Sequence, residues 1–279
     1  MHPKLFEAGG IVIHSYGAML VIGFLLTLWR AMRVCARRMA TEPEGSPRRI
    51  RPEDIFDLGI MGLLIGLVGA RLTFIFLSER QNWVHALMHW QSGLSLHGGM
   101  FAGIAFLIGF CRRRGLDVLA VGDVAAVSWP LAYAFGRVGC FLNGCCYGGA
   151  CSLPWGVRFP DEQHPGALTP PSHPIQIYAA LIHLAAFWFM TRRERLPRRD
   201  GALFFGYIAF YGAYRIVMEV FRAGVTSAYL MPGVPLTQTH VVSAAMILAG
   251  LAGLQWVRGH RPVAQDAACA SDPRKVLLH

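Results

Sequence analysis

Residues 58–77 read LGIMGLLIGLVGARLTFIFL, a run of twenty residues in which Arg71 is the only charged side chain. A helix of that length is about 30 Å long, which is the thickness of the hydrocarbon layer of a bilayer. The whole chain is similar, since 54% of its 279 residues are hydrophobic, 15% are charged and the mean hydropathy is +0.41. Soluble domains carry about a quarter charged residues. The composition therefore predicts an integral membrane protein.

Six further apolar stretches bring the prediction to seven transmembrane helices in an all-α integral membrane fold. The predicted spans are about 11–29, 58–77, 93–111, 118–141, 174–191, 201–219 and 237–257. We assign residues 1–258 to one membrane domain, with a small external cap at about 143–173 between helices four and five. Trp155, Val157 and Phe159 give this proline-rich cap apolar side chains to bury. Residues 259–279 are predicted to form a flexible cytoplasmic tail.

Lysine and arginine residues are distributed unevenly between successive connections. With seven spans, one side of the membrane carries 19 of them and the other carries four, while Arg71, Arg137 and Arg215 fall inside spans. The positive-inside rule then places the N-terminus outside and the C-terminus in the cytoplasm. The net charge of +10 thus reflects topology, and nucleic-acid binding is not expected.

Polar residues inside the spans indicate a functional site, because a charge at membrane depth is costly. With the predicted topology, six of them converge on the outer leaflet: His14, Tyr16, Arg71, His97, Arg137 and Arg215. Glu219 follows Arg215 by four residues and lies within ion-pair reach of it. Because the Glu219 carboxylate cannot neutralise all the arginines, a net positive charge remains, which an anionic lipid phosphate would complement. Snorkelling and structural ion pairs are the alternatives for these side chains.

Several motifs occur in a distinctive order. Residues 136–148 read GRVGCFLNGCCYG. They are accompanied by HSYG at 14–17, GAR at 69–71, SLHGG at 95–99, HPIQIY at 173–178 and YGAYRIVMEVFR at 211–222. Together these motifs resemble the prolipoprotein diacylglyceryl transferase family, whose signature is G-R-x-G-N-F-x-N-x-E-x-x-G. The resemblance extends over the chain to about residue 257.

The resemblance implies a seven-helix enzyme of the bacterial inner membrane, and the depth of the polar residues predicts that its active site faces the outer leaflet. Such an enzyme moves diacylglyceryl from phosphatidylglycerol to the lipobox cysteine of a prolipoprotein and releases glycerol phosphate. The implied catalytic residues are His97, Arg137 and Arg215, with Arg137 binding the lipid phosphate. The candidate substrate-binding residues are Tyr16, Asn143, Tyr211 and Glu219 from the resemblance, and His14 and Arg71 from their depth. The partners implied are phosphatidylglycerol, the prolipoprotein and the bilayer, and no cofactor or metal is expected.

Three positions depart from the family pattern. Cys140 replaces an asparagine, Cys145 replaces the signature glutamate, and Ala179 replaces a glutamate after the Gln-x-Tyr element. Together with Cys146 and Cys151, the first two form the pattern C-x4-C-C-x4-C, which is not a common zinc spacing. In an oxidising compartment we expect a disulfide between Cys151 and either Cys145 or Cys146, with four reduced thiols as the alternative.

A transporter of anionic lipids or small anions is the alternative function, because it would also use arginines within the membrane. Such a protein should carry polar residues at the midplane and towards the inner face, whereas those of this chain cluster on one side. No convincing internal repeat supports the transporter interpretation.

Overall fold

The structure is a computed structural model that describes residues 4–8, 11–78, 95–161, 164, 166–222 and 237–262. Within these residues the chain forms one antiparallel strand pair and seven helices. The strands are β1 (Lys4–Ala8) and β2 (Ile11–His14). The helices are α1 (Ser15–Thr41), α2 (Pro52–Ser78), α3 (Leu96–Arg114), α4 (Val118–Asn143), α5 (Ile175–Arg193), α6 (Ala202–Val220) and α7 (Gln238–His260).

Each predicted span overlaps one of these helices, and six of the described helices are long and apolar enough to cross a membrane. The helix outside this set is α3, which ends in the three arginines 112–114. Their charge lowers the mean hydropathy of a helix that has only 19 residues. The chain is therefore a multi-pass helical membrane protein. Of the predicted tail, residues 263–279 lie outside the described residues, and the part before them continues α7 to His260.

The predicted start of the first span is wrong. Ile11–His14 is a strand that pairs with Lys4–Ala8, and α1 begins only at Ser15. The β-branched residues Ile11, Val12 and Ile13 favour an extended backbone, which explains why an apolar stretch here does not continue the helix. His14 consequently ends a strand, and the fold is not purely helical.

The α4–α5 loop, residues 144–174, folds around Phe159. This side chain is fully buried and stacks on Tyr147 with ring centroids 4.9 Å apart, while Phe141 at the end of α4 meets it edge-on. Trp155 does not join this core, since it is 57% exposed and its Nε1 donates a hydrogen bond to the Tyr178 hydroxyl at 2.7 Å. Of the aromatic side chains expected to be buried in this segment, Phe159 is buried and Trp155 is not.

The chain divides into two compact units. Unit 1 comprises Met1–Arg30 and Gly122–Gln265, and its buried core is formed by residues of α4, α5 and α6. Unit 2 comprises Ala31–Val121 and contains α2 and α3.

Small residues bring α2 and α3 together in unit 2. A Cβ atom on Gly69 would collide with the Cβ of Ala102 and would lie 2.9 Å from the carbonyl oxygen of Gly98. Close backbone approach through small residues is a common way for helices to associate in lipid, where dispersion contacts replace the hydrophobic effect. The start of α3 is therefore held against the middle of α2.

We expect Gly69→Ala to destabilise the protein by about 1–3 kcal/mol, because the added methyl group overpacks a backbone contact. The matched control is Gly62→Ala on the same helix, where the new Cβ would meet only Phe106 at 3.8 Å. Thermal unfolding in detergent micelles measures both variants. Equal transition temperatures for the two variants would contradict the packing argument.

Candidate active site

Arg137 lies near the end of α4, between two glycines of the signature stretch. Gly139 faces α1, since a Cβ on it would lie 3.1 Å from the Cβ of Met19 and 3.2 Å from the Cδ2 of Tyr16. Residues two apart on a helix project about 200° from each other, so Arg137 points away from α1. The glycine thus lets α1 pack closely on α4 while the guanidinium faces the other helices of unit 1.

The Arg137 guanidinium is held by tyrosines. Its Nη2 donates a hydrogen bond to the Tyr133 hydroxyl at 2.6 Å, and its central carbon lies 4.9 Å from the centre of the same ring. The Tyr133 hydroxyl is in turn 3.4 Å from that of Tyr214 on α6. Among the described residues no carboxylate forms an ion pair with Arg137. The side chain is therefore oriented without being neutralised, which suits it to bind an anion.

Two further arginines lie near this group. Arg215 is on α6, and Arg222 follows the end of that helix by two residues. Burial lowers the pKa of Arg222, and the positive charges of Arg215 and Arg137 lower it further. The buried Glu219 carboxylate acts on Arg222 in the opposite sense. No ion pair joins Arg215 to Glu219 within the described part of the chain, contrary to the expectation from their spacing.

His183 on α5 supports the Tyr133 ring from behind. The imidazole is fully buried, stacks on Tyr133 with ring centroids 4.0 Å apart, and meets the edge of Tyr214 at 4.5 Å. Its Nδ1 lies 2.9 Å from the carbonyl oxygen of Ala179, and its Nε2 has no hydrogen-bond partner among the described residues. Tyr211 completes this aromatic wall, edge-on to Tyr133 at 5.9 Å. The wall fixes the ring that orients Arg137.

A glycine cap ends α4 and folds the loop back over its last turn. Gly144 has a φ of 80°, and its N–H donates to the carbonyl oxygen of Phe141 at 3.1 Å. The N–H of Cys145 donates to the carbonyl oxygen of Cys140 at 3.1 Å, which completes a Schellman motif. The buried Gln176 on α5 then donates its Nε2 hydrogen to the Cys145 carbonyl at 2.7 Å.

This fold gathers three of the four clustered cysteines. The Sγ atoms of Cys140, Cys145 and Cys146 lie within 4.8 Å of one another. Cys151 is outside this group, and all four thiols are free, so the expected disulfide of Cys151 is not formed in the structure. Hydrogen bonds from Cys140 and Cys145, together with the charges of nearby arginines, lower the pKa of Cys146 to about 5, although burial opposes the shift. Burial raises the pKa of Cys145.

Unit 2 holds two further predicted site residues. Arg71 on α2 is 5% exposed, and its guanidinium carbon lies 5.9 Å from the Phe74 ring. His97 is exposed in the first turn of α3, which is capped by Ser95. The Ser95 N–H also donates to the carbonyl oxygen of Ala70 at 3.0 Å. This contact holds the start of α3, with His97, beside the segment of α2 that carries Arg71.

Comparison with known proteins identifies the family. The model of the family "Prolipoprotein diacylglyceryl transferase" matches residues 3–256. The chain is 33% identical over 259 residues to a phosphatidylglycerol–prolipoprotein diacylglyceryl transferase of Rhodospirillum centenum, covering 89% of each chain. Proteins with the same name from Clostridium tetani and Vibrio vulnificus are each 30% identical, over 80% and 92% of this chain and 86% and 93% of theirs. The chain belongs to the prolipoprotein diacylglyceryl transferase family.

Family membership confirms the resemblance and makes the chain a membrane-embedded transferase. The transporter alternative is not favoured by these matches. Unit 1 of this transferase contains seven of the candidate site residues: His14, Tyr16, Arg137, Asn143, Tyr211, Arg215 and Glu219. Of these, His14 is exposed at the end of β2, and Asn143 is exposed as the last residue of α4.

Sequence reasoning missed three residues of this transferase that the structure places beside Arg137 or its supports. Tyr133 precedes Arg137 by four residues, so its position on the same helix face was a usable signal. His183 is a lone histidine in an apolar span, where a polar group is costly. Arg222 was counted with the basic residues of a connection, although it follows Arg215 by two helical turns.

We expect Tyr133→Phe to reduce diacylglyceryl transfer by about 10- to 100-fold, because it removes the hydroxyl that accepts the hydrogen bond of Arg137. The matched control is Tyr207→Phe, since the buried Tyr207 hydroxyl has no hydrogen-bond partner among the described residues. This control should retain activity and stability. Transfer rates and lipid affinity in detergent or vesicles measure both variants, and equal activity would remove Tyr133 from its positioning role.

Proposed function

We propose that this chain transfers the diacylglyceryl group of phosphatidylglycerol to the lipobox cysteine thiol of a prolipoprotein, forming a thioether and releasing glycerol phosphate. The supporting observation is the Arg137 guanidinium, which Tyr133 orients and which no described carboxylate neutralises. It lies in the signature stretch of the family, whose named relatives act on phosphatidylglycerol and prolipoproteins. An oriented guanidinium matches the oxygens of a phosphodiester.

The reaction needs its leaving group stabilised. The substrate sulfur forms a bond to the glycerol carbon while the bond from that carbon to the phosphate oxygen breaks, and the electron pair stays on the phosphate. Arginines placed before the reaction begins stabilise this growing charge at no cost of reorganisation. We assign phosphate binding to Arg137 and charge stabilisation to Arg137 and Arg215, and we add Arg222 because its charge acts on the same region.

The attacking thiol must also lose its proton. A free thiol has a pKa near ~8.5, so only a few per cent is ionised at neutral pH. We assign the base to His97, which is exposed in the first turn of α3. Tyr16, Asn143 and Tyr211 are assigned to substrate binding with His14, Arg71 and Glu219, as the motif pattern and the depth argument imply.

We infer seven membrane spans with the N-terminus outside and the α4–α5 loop as an external cap of a bacterial inner-membrane protein. Seven described helices and the basic residues, 19 on one side and four on the other, support this arrangement. The outer ends of the spans then hold Arg137 and Arg215, on the side where a secreted prolipoprotein presents its lipobox.

Complementation tests the function. Expression of the chain in cells depleted of their own diacylglyceryl transferase should restore growth, and mass measurement should find thioether-linked diacylglycerol on a reporter lipoprotein. Normal expression of the chain without this modification would refute the proposed activity.

We expect Arg137→Lys to lose about 100-fold or more of the activity, because an ammonium keeps the charge but not the two-pronged phosphate contact. Arg215→Lys should behave similarly, and His97→Gln should lower turnover more than lipid binding. The matched control is Arg158→Lys, an exposed arginine of the α4–α5 loop that should retain activity. Transfer to a lipobox peptide is the measurement, and near-normal transfer by Arg137→Ala would exclude Arg137 from the site.

Topology has its own test. We expect a reporter fused after Arg199 to be cytoplasmic and one fused after Asp161 to be periplasmic, because the basic connections stay inside. Paired alkaline phosphatase and fluorescent-protein fusions measure the two positions. The reverse pattern would overturn the placement of the site in the outer leaflet.

A further inference from the structure

Cys140 and Cys145, which replace two family residues, form a cluster with Cys146, and the reaction proposed above assigns no role to these three thiols. Cys140 is in the last turn of α4, and the Schellman motif at Gly144 folds Cys145 and Cys146 back beside it. Cys146 itself has a φ of 62°, the one non-glycine residue with a positive φ within the described residues. The left-handed turn brings the thiols of Cys145 and Cys146 close to the Cys140 thiol. The spacing of these cysteines along the chain does not resemble a common metal motif.

The geometry suits a small thiophilic ion. The three Sγ atoms lie within 4.8 Å of one another. Zinc–sulfur bonds of about 2.3 Å in tetrahedral geometry place their sulfurs ~3.8 Å apart. Side-chain rotations that bring the Sγ atoms about 1 Å closer together would therefore form this geometry. Thiolate sulfur is a soft ligand that selects Zn²⁺, Cd²⁺ or Cu⁺ over Mg²⁺ and Ca²⁺.

We propose that Cys140, Cys145 and Cys146 form a three-thiolate site for a soft metal ion, with Zn²⁺ as its representative, at the end of α4. Three protein ligands leave one coordination position for water or an added thiol, as in catalytic rather than structural zinc sites. The hydrogen bond from Gln176 to the Cys145 carbonyl fixes the ligand loop from α5.

Charge balance supports the site. Three thiolates and one divalent ion carry a net charge of −1. The guanidinium groups of Arg137 and Arg222 act electrostatically on the Cys146 sulfur and would stabilise this anionic complex. Bound metal would also protect the thiols from the oxidation that is usual outside the cytoplasm. Cys151 lies apart from the cluster, with its Sγ 3.1 Å from a Cβ position on Gly156.

Metal binding by the full-length protein tests the proposal. The chain is purified in detergent under reducing, metal-free conditions, freed of reductant, incubated with Zn²⁺ and dialysed, and its zinc content is measured by elemental mass spectrometry. We expect one zinc ion per chain for the wild type and for Cys151→Ser, which is the matched control. Cys140→Ser, Cys145→Ser and Cys146→Ser should each bind zinc at least ~10-fold more weakly.

A second measurement uses only the wild-type chain and does not depend on how the variants fold. Zn²⁺ should protect the three clustered thiols from alkylation while leaving Cys151 reactive, as peptide mass spectrometry would show. Equal alkylation with and without Zn²⁺, loss of zinc from Cys151→Ser, or a disulfide within the cluster of the protein as isolated would each overturn the proposal. Because both readouts follow metal and not lipid transfer, their outcome is independent of the proposed function.

Discussion

The candidate site of unit 1 depends on keeping the Arg137 guanidinium charged among apolar helices. A cation at membrane depth costs at least ~2.5–3.5 kcal/mol, so its donors need partners, yet a carboxylate partner would cancel the charge. Tyr133 resolves this conflict by accepting a hydrogen bond at 2.6 Å and presenting its ring face at 4.9 Å. Both interactions stabilise the cation and leave its net charge unchanged. The buried stack of His183 on Tyr133 then restricts where that hydroxyl can point.

The helix packing around Arg137 also helps to orient its guanidinium without neutralising it. Gly139 lets α1 approach one face of α4, and the aromatic wall lies against the other face of α4. Arg215 and Arg222 add positive charge on α6 and just beyond it. Burial lowers the pKa of Arg222, and the positive charges of Arg215 and Arg137 lower it further. The phosphodiester that we propose to bind there would relieve the mutual repulsion of these guanidinium groups.

Cys145 and Cys146 change the chemical groups that lie next to the arginines of unit 1. Where the family signature has a glutamate, the chain has Cys145, and the neighbouring Cys146 sulfur interacts electrostatically with Arg137 and Arg222. A sulfur anion and a carboxylate both balance positive charge. They differ in their ligand chemistry, because sulfur binds soft metal ions and can be oxidised. The loop after α4 therefore has a ligand chemistry that a carboxylate at this position would not give it.

The sequence by itself determined the helical membrane class and the positions of the seven described helices, and it singled out Arg137 as the central residue of the proposed site. Those properties follow from local quantities: the length of apolar runs, the cost of a charge within them, and motifs whose residues are close along the chain. The strand at Ile11–His14 depends on pairing with a second strand, and the roles of Tyr133 and His183 depend on contacts between α4, α5 and α6. Only the tertiary structure decided which cysteines meet, because a left-handed turn at Gly144 and Cys146 brings Cys145 and Cys146 to Cys140 and leaves Cys151 apart. Backbone geometry of that kind follows from how the loop is anchored to its neighbours and not from the spacing of its cysteines.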